Sequence, residues 1–340
     1  GLGDVYKRQN KRSQEFFLAL FLLMACVCVH FQESFNRRGY SVPFLRVALV
    51  QPKIPQEVKW DPARAPAILE VLSGVTLEAA SMQPDIIIWP EAVTPLAVRG
   101  DESAKAFVEA LAKRAGRPLL LGSIAVEDRG GPNEAWFNGA FLVTPSEGVA
   151  AGYYAKRQLV PFGEYVPLRP LLGWLEKFVP VGGDFIAGDS AAPLLVPVRG
   201  EPVAIGPLIC YEDTYPELAR LSALSGAGLI AVLTNNGWFG EGGAAQQHAA
   251  HSVLRAVETR RPVLRCGNAG WSGWIDEFGV VRATLTEPER GIYFRGSRAL
   301  DITRDARWVD RASFYVEHGN WFVALAALLA AAGWWLIRTS

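Results

Sequence analysis

The chain has 340 residues, half of them hydrophobic, and its 34 Lys plus Arg are matched by 34 Asp plus Glu. That length holds one large domain or two ordinary ones, and a formal net charge of zero lacks the basic footprint of a nucleic-acid binder, which argues against nucleic acid as a main partner. Four cysteines (Cys26, Cys28, Cys210, Cys266) are too scattered for a disulfide framework, and no CxxC pair or Cys/His cluster has zinc-ligand spacing, so free thiols and no metal or cofactor are expected.

In chain order, residues 1–15 open with "GLGDVYKRQ", which reads as a terminal scar or truncated remnant, with further membrane helices expected upstream. Phe16–Phe31, "FFLALFLLMACVCVHF", is an apolar run of roughly 24 Å as a helix, a little under the ~30 Å of a hydrocarbon core. It is read as a transmembrane helix; a cleaved signal peptide is the alternative, disfavoured because no clean small-x-small site follows. Basic residues flank it on both sides (Lys11 and Arg12, then Arg37 and Arg38), so the positive-inside rule gives no orientation.

From residue 45 to 311 the chain reads as one α/β domain. Short apolar runs mark strands at 45–51, 85–91, 118–126, 138–144, 203–212, 228–234 and 262–268. Helical patterns at 66–81, 103–114 and 244–260 alternate with several of them, which argues for helices packed on sheet. Asp101 is placed to cap the second helix and Gly116 to stop it. The Gly-, Pro- and Ala-rich stretch 181–200 reads as an irregular loop. Finally Trp321–Ile337, "WFVALAALLAAAGWWLI", is wholly apolar with tryptophan at both ends, as in an interfacial belt, and is read as a second transmembrane helix. Arg338 after it places the tail inside and the domain outside.

Three residue types converge on strand ends. "IIIWPEA" puts Glu91 after an apolar strand, "YYAKRQLVPFGEYVP" puts Lys156 in a polar interval and Glu164 after a glycine, and "PLICYED" puts Cys210 at the end of another strand. Taken singly, such a Glu is a solvated turn residue, such a Lys a surface charge and such a Cys core. Together they suit acyl chemistry at the carboxyl ends of strands. A carboxylate takes the thiol's proton, and an ammonium steadies the thiolate and then the oxyanion. No histidine is needed: His248 and His251 share one helix with no acid or cysteine in a fixed relation to them.

The order Glu, Lys, Cys in "WPEA", "YAKRQLVPFGEYVP" and "LICYED" resembles the nitrilase or carbon–nitrogen hydrolase superfamily. The longer strings "VALVQPKIPQEVKW", "LVPFGEYVP", "TNNGWFG" and "QHAAHSVLRAVETRRPVLRCGNAGWSGWID" narrow the resemblance, over residue 45 to the C-terminus, to its apolipoprotein N-acyltransferase branch. The resemblance implies a nitrilase-like αββα sandwich flanked by transmembrane helices, on the outer, periplasmic side of the bacterial inner membrane. It implies ping-pong transfer of a fatty acyl chain from a phospholipid to the N-terminal amine of a diacylglyceryl-cysteine lipoprotein. Cys210 is then the nucleophile, Glu91 the general base and Lys156 the oxyanion stabiliser. Glu164, Tyr211 and Glu212 support them, and Trp60 and Trp238 lie at the lipid-access cleft, with Trp174, Phe178 and Phe239 as further aromatics for an acyl path. Departures fall at Asn236 (Asp is common), Gln158 (His is common), and Pro52 and Lys53 (Gly and Asn are familiar). The main alternative is a nitrilase-type amidase hydrolysing a small C–N bond, which the same triad fits. A membrane-anchored scaffold with a degenerate site is the non-catalytic alternative.

Overall fold

The computed structural model describes residues 15–29, 31–32, 39–174 and 184–339. The chain divides into two units, Gly1–Val42 with Asp305–Arg307, and the remainder. In the first, Ala306 N–H donates to Tyr40 O at 2.9 Å and the Arg307 guanidinium lies over the Tyr40 ring. Helix α1 (Glu15–Val29) is apolar and, at 1.5 Å per residue, about 22 Å long.

Two sheets form the body of the chain. The elements in chain order are β1 (Ser41–Gln51), α2 (Ala65–Ser81), β2 (Ile86–Ile88), α3 (Glu102–Ala115), β3 (Leu119–Glu127), β4 (Ala135–Thr144), β5 (Gly148–Val149), β6 (Tyr154–Ala155), α4 (Arg169–Leu172), β7 (Leu194–Val198), β8 (Glu201–Ile209), α5 (Pro216–Leu224), β9 (Leu229–Thr234), α6 (Ala244–Thr259), β10 (Val263–Gly267), β11 (Gly273–Ile275), β12 (Val281–Thr284), β13 (Gly296–Asp305), α7 (Phe314–His318) and α8 (Trp321–Thr339). The first sheet runs β13-β1-β2-β3-β4-β5, with β6 also on β4; the second runs β12-β11-β10-β9-β8-β7. β1, β2 and β3 are parallel, as are β8, β9 and β10.

Side-chain alternation sets the layers. On β1, Val47 and Leu49 face the second sheet, where they join Ile209, Leu229, Leu233 and Leu264 in the central core. Their neighbours Ala48 and Val50 point the other way, onto Leu72 of α2 and Leu111 of α3. In the second sheet Leu208, Ile230 and Val232 likewise turn outward onto Ala219 of α5 and Ala249 and Ala256 of α6. Strands with both faces covered need continuous apolar runs, which is what the sequence shows. The result is an αββα sandwich.

Asp101 caps α3, its side chain accepting from Ser103 N and Ala104 N, and Gly116 ends it in a left-handed conformation. Asp101→Ala is expected to lower stability by about 1 kcal/mol, seen as a lower urea midpoint with an unchanged slope. Stretch 181–200 is corrected in part. Among its described residues Leu194–Val198 form β7, the edge strand antiparallel to β8. Pro197 hides the strand in the sequence, and an edge position is where proline is tolerated.

Among the described residues one helix, α8, is long and apolar enough to cross a membrane: 19 residues, none of them buried.

Candidate active site

Both sheets deliver residues to one place, at the carboxyl ends of their parallel strands. Glu91 follows β2 through Trp89 and Pro90. The turn carrying it lies directly on β3, with Gly122 N–H donating to Pro90 O at 3.2 Å and Val93 N–H to Gly122 O at 3.0 Å. A Cβ at position 122 would stand 2.5 Å from Pro90 O and 2.6 Å from Glu91 Cα, so glycine is required for this approach.

The Glu91 carboxylate is held at both oxygens. Oε1 accepts from Asn138 Nδ2 at 2.9 Å and lies 3.5 Å from Lys156 Nζ; Oε2 accepts from the Asn235 backbone N–H at 3.0 Å. Asn138 comes from β4 of the first sheet and Asn235 from the end of β9 in the second. Lys156 directly follows β6, and its own N–H donates to Asn138 O. Its Nζ donates to Glu164 Oε1 at 2.9 Å, and Glu164 also accepts from Asn138 Nδ2 and Val160 N–H. Burial works against the Lys156 charge, but Glu91, Cys210 and Glu164 outweigh it and hold the ammonium above the ordinary lysine range.

Cys210 sits where β8 ends and a tight 3-10 turn, Cys210–Thr214, begins. Its φ is +56°, a left-handed conformation costing a non-glycine residue about 1–3 kcal/mol. Burial, then the negative charge of Glu91, pushes its thiol up to about 12. At neutral pH the sulfur therefore keeps its proton, and a thiolate forms only as a neighbouring base removes it.

Three further residues fasten this turn. Glu212, fully buried, accepts four hydrogen bonds: from Ile209 N–H and Tyr154 OH on one oxygen, and from Arg157 N–H and Gln158 N–H on the other. It staples the Lys156 segment to the Cys210 turn, and burial raises its own carboxyl above the usual range. Tyr211 donates to Leu159 O, and its ring lies 5.4 Å from Lys156 Nζ. Asp213, also buried, is tied to Arg265, to Ser252 Oγ and to His248 Nε2 at 2.8 Å. Burial opposes its charge, yet Arg265 and then His248 hold the carboxyl below the ordinary range. This corrects the sequence reading of His248: an acid does stand against it, contributed from another element.

The loop between β1 and α2 carries a residue that sequence reasoning missed. Lys59 is only 2% exposed, and its Nζ donates to Glu91 O at 3.4 Å. Burial brings it down to about 8, against the pull of Glu91 and Cys210. Its neighbour Trp60 is half exposed, and Trp238 and Phe239 stand exposed on the turn after β9. The two loops are joined by Asn235 Nδ2 donating to Gln56 Oε1 at 2.7 Å and by Lys53 Nζ donating to Glu241 Oε1 at 2.7 Å. Trp174 is exposed; Phe178 lies outside the described residues. Among the described residues no group of three or more His, Cys, Asp or Glu is disposed to hold a metal ion.

In chemical terms the site combines a neutral thiol on a strained turn, a carboxylate held in place by hydrogen bonds, and a buried ammonium. It can abstract the thiol proton and stabilise an oxyanion, which suits attack on an acyl carbon.

The family model for carbon-nitrogen hydrolase matches residues 46–301. The chain is 33% identical over 319 residues to an apolipoprotein N-acyltransferase of Geobacter metallireducens, covering 92% of this chain and 58% of that protein. It is 36% identical over 259 residues to one of Pseudomonas syringae pv. tomato, covering 75% and 48%. The chain thus spans about half the length of these curated relatives. Among solved structures, an amidase from Nesterenkonia sp. superposes with a TM-score of 0.58 at 21% identity, covering 82% of this chain and 97% of that one, a likeness of fold.

Proposed function

The chain belongs to the carbon–nitrogen hydrolase family, and on that premise we propose that it is an acyltransferase moving a fatty acyl chain from a membrane phospholipid, through a thioester on Cys210, to the N-terminal amine of a diacylglyceryl-cysteine lipoprotein. The observation that carries this reading is the coexistence, in one chain, of the Glu91–Lys156–Cys210 cluster with the exposed apolar helix α8, about 28 Å long. A small polar amide gives no reason for such a helix, whereas a lipid donor does. Homology to apolipoprotein N-acyltransferases supports the same choice.

In this proposal Glu91 takes the proton of Cys210 as the sulfur attacks the ester carbonyl carbon. A C–S bond forms and the carbonyl oxygen becomes an oxyanion, held by the Lys156 ammonium and by the Tyr211 amide at the start of the turn. The C–O bond then breaks, and the departing lysophospholipid oxygen takes the proton back from Glu91. In the second half the acceptor amine attacks the thioester. Glu91 removes a proton from the nitrogen, the C–S bond breaks, and the proton returns to sulfur. Glu164 keeps Lys156 aimed, and Glu212 and Tyr211 keep the Lys156 and Cys210 segments in register. Trp60 and Trp238 line the route for the acyl chain. α8 anchors the catalytic domain of residues 45–311 to the bacterial inner membrane, on its periplasmic face. The steps need no metal or cofactor.

The test is intact-protein mass spectrometry after incubation with phospholipid vesicles, followed by neutral hydroxylamine. A fatty-acyl mass on the protein, removed by hydroxylamine, is the expected result. Turnover of small amides with no acyl adduct would instead establish the amidase reading.

A further inference from the structure

Two carboxylates and one ammonium share the buried centre. Lys156 Nζ is 2.9 Å from Glu164 and 3.5 Å from Glu91, so Glu164 takes the shorter contact. Lys156 thus faces two carboxylates at once, one negative charge more than it can match, and an unmatched charge in a buried site is costly. Lys59 reaches the backbone of Glu91. It comes from the loop before α2, is 2% exposed, and its ammonium rests on the backbone carbonyl of Glu91. A buried lysine is itself costly unless paired, and the charges it feels are those of Glu91 first and then Cys210.

We infer that Lys59 is a positioning residue for Glu91, its ammonium holding the Glu91 backbone carbonyl and adding a second positive charge beside the carboxylate. This rests on the reading of Cys210 as nucleophile and Glu91 as base. The charged groups facing Glu91 are Lys59 from the β1–α2 loop and Lys156 after β6; Glu164 faces Lys156 from the following turn, and the Asn138 and Asn235 contacts are neutral. With Lys59 present the two carboxylates meet two ammoniums; without it the centre carries one surplus negative charge, and Glu91 binds a proton more readily.

The experiment is alkylation of Cys210 by iodoacetamide in the full chain, read by peptide mass spectrometry across about pH 5 to 9. It compares the parent with Lys59→Met, Lys59→Gln and Lys59→Arg, with Glu91→Gln as reference. It involves no lipid, so it does not depend on the acyl donor. In the two neutral variants the acidic limb should move up by about one pH unit, making labelling on that limb about ten-fold slower. Their rates should rejoin the parent's above about 8, where Lys59 loses its own proton. Lys59→Arg, which keeps the charge, should restore the parental limb. An unmoved limb, or a uniform loss at every pH in the variants that fold, would overturn the inference, since packing alone does not shift a titration. If Glu91→Gln labels as fast as the parent, the reading of Glu91 as base fails and this inference with it. Slow labelling in Glu91→Gln beside a parental profile in Lys59→Met would remove only the role of Lys59.

Discussion

Cys210→Ser is expected to fold as the parent does, to carry no hydroxylamine-labile acyl group and to lose turnover by about three orders of magnitude or more. The substitution is nearly isosteric, and the residue sits on a turn whose geometry is fixed elsewhere. Glu212 bridges Ile209 to the Lys156 segment and Tyr211 binds Leu159 O, so the left-handed backbone at 210 is flanked on both sides by contacts that do not involve sulfur. The proposed chemistry, by contrast, depends on sulfur. The thiol already stands at about 12, within reach of a carboxylate base only because the proton moves as the C–S bond forms. A hydroxyl is a far weaker acid, and among the described residues no imidazole is hydrogen-bonded at position 210 to compensate. His248 is committed to Asp213 and Asn236. Intact mass after exposure to phospholipid, together with the thermal midpoint, reads both halves of the expectation. Parental turnover in a folded Cys210→Ser would exclude Cys210 as the nucleophile.

Residues differ in how much of their structural role is written in the local sequence. Runs such as Ile86–Ile88 and Leu229–Thr234 are buried on both faces, so their composition alone announces strands. Helices α2, α3 and α6 show their periodicity and, for α3, its cap. β13 escaped because "GSRALDITRD" is half exposed and charged, and β7 because it carries a proline. Both are edge strands, where burial imposes little pattern. The same logic governs the site. Glu91 and Cys210 follow apolar strands and Lys156 stands in a marked motif, so the sequence could point to each. Lys59 lies in "QEVKWD", a polar stretch that reads as solvated loop, and burial of a lysine leaves no local signature when its counter-charge is 32 residues away. The sequence marks Asn138 only as the start of a strand, although its amide bridges Glu91 and Glu164. Such bridges arise from pairing between distant segments, and spacing within one segment cannot express them.

That dependence on charges brought from afar sets the expected outcome for Lys156→Met. This variant should lose activity by about 10³-fold or more, and its loss should differ in kind from that of Cys210→Ser. Removing the ammonium leaves Glu91 and Glu164 bound to the same Asn138 amide, with no cation between them. Breaking a buried pair in this way costs about 3–5 kcal/mol if both charges persist. The cheaper course is for one carboxylate to take up a proton, and a protonated Glu91 no longer accepts one from Cys210. The oxyanion loses its donor at the same time. Two deficits therefore combine, and pH separates them. Raising the pH should return the carboxylate and recover part of the Cys210 alkylation rate, while acyl transfer stays low because the oxyanion still lacks Lys156. Rates of alkylation and of acyl-adduct formation, measured side by side from about pH 6 to 9, check this. If both recovered together, Lys156 would serve only to keep Glu91 ionised, and the oxyanion would have to be stabilised by backbone amides alone.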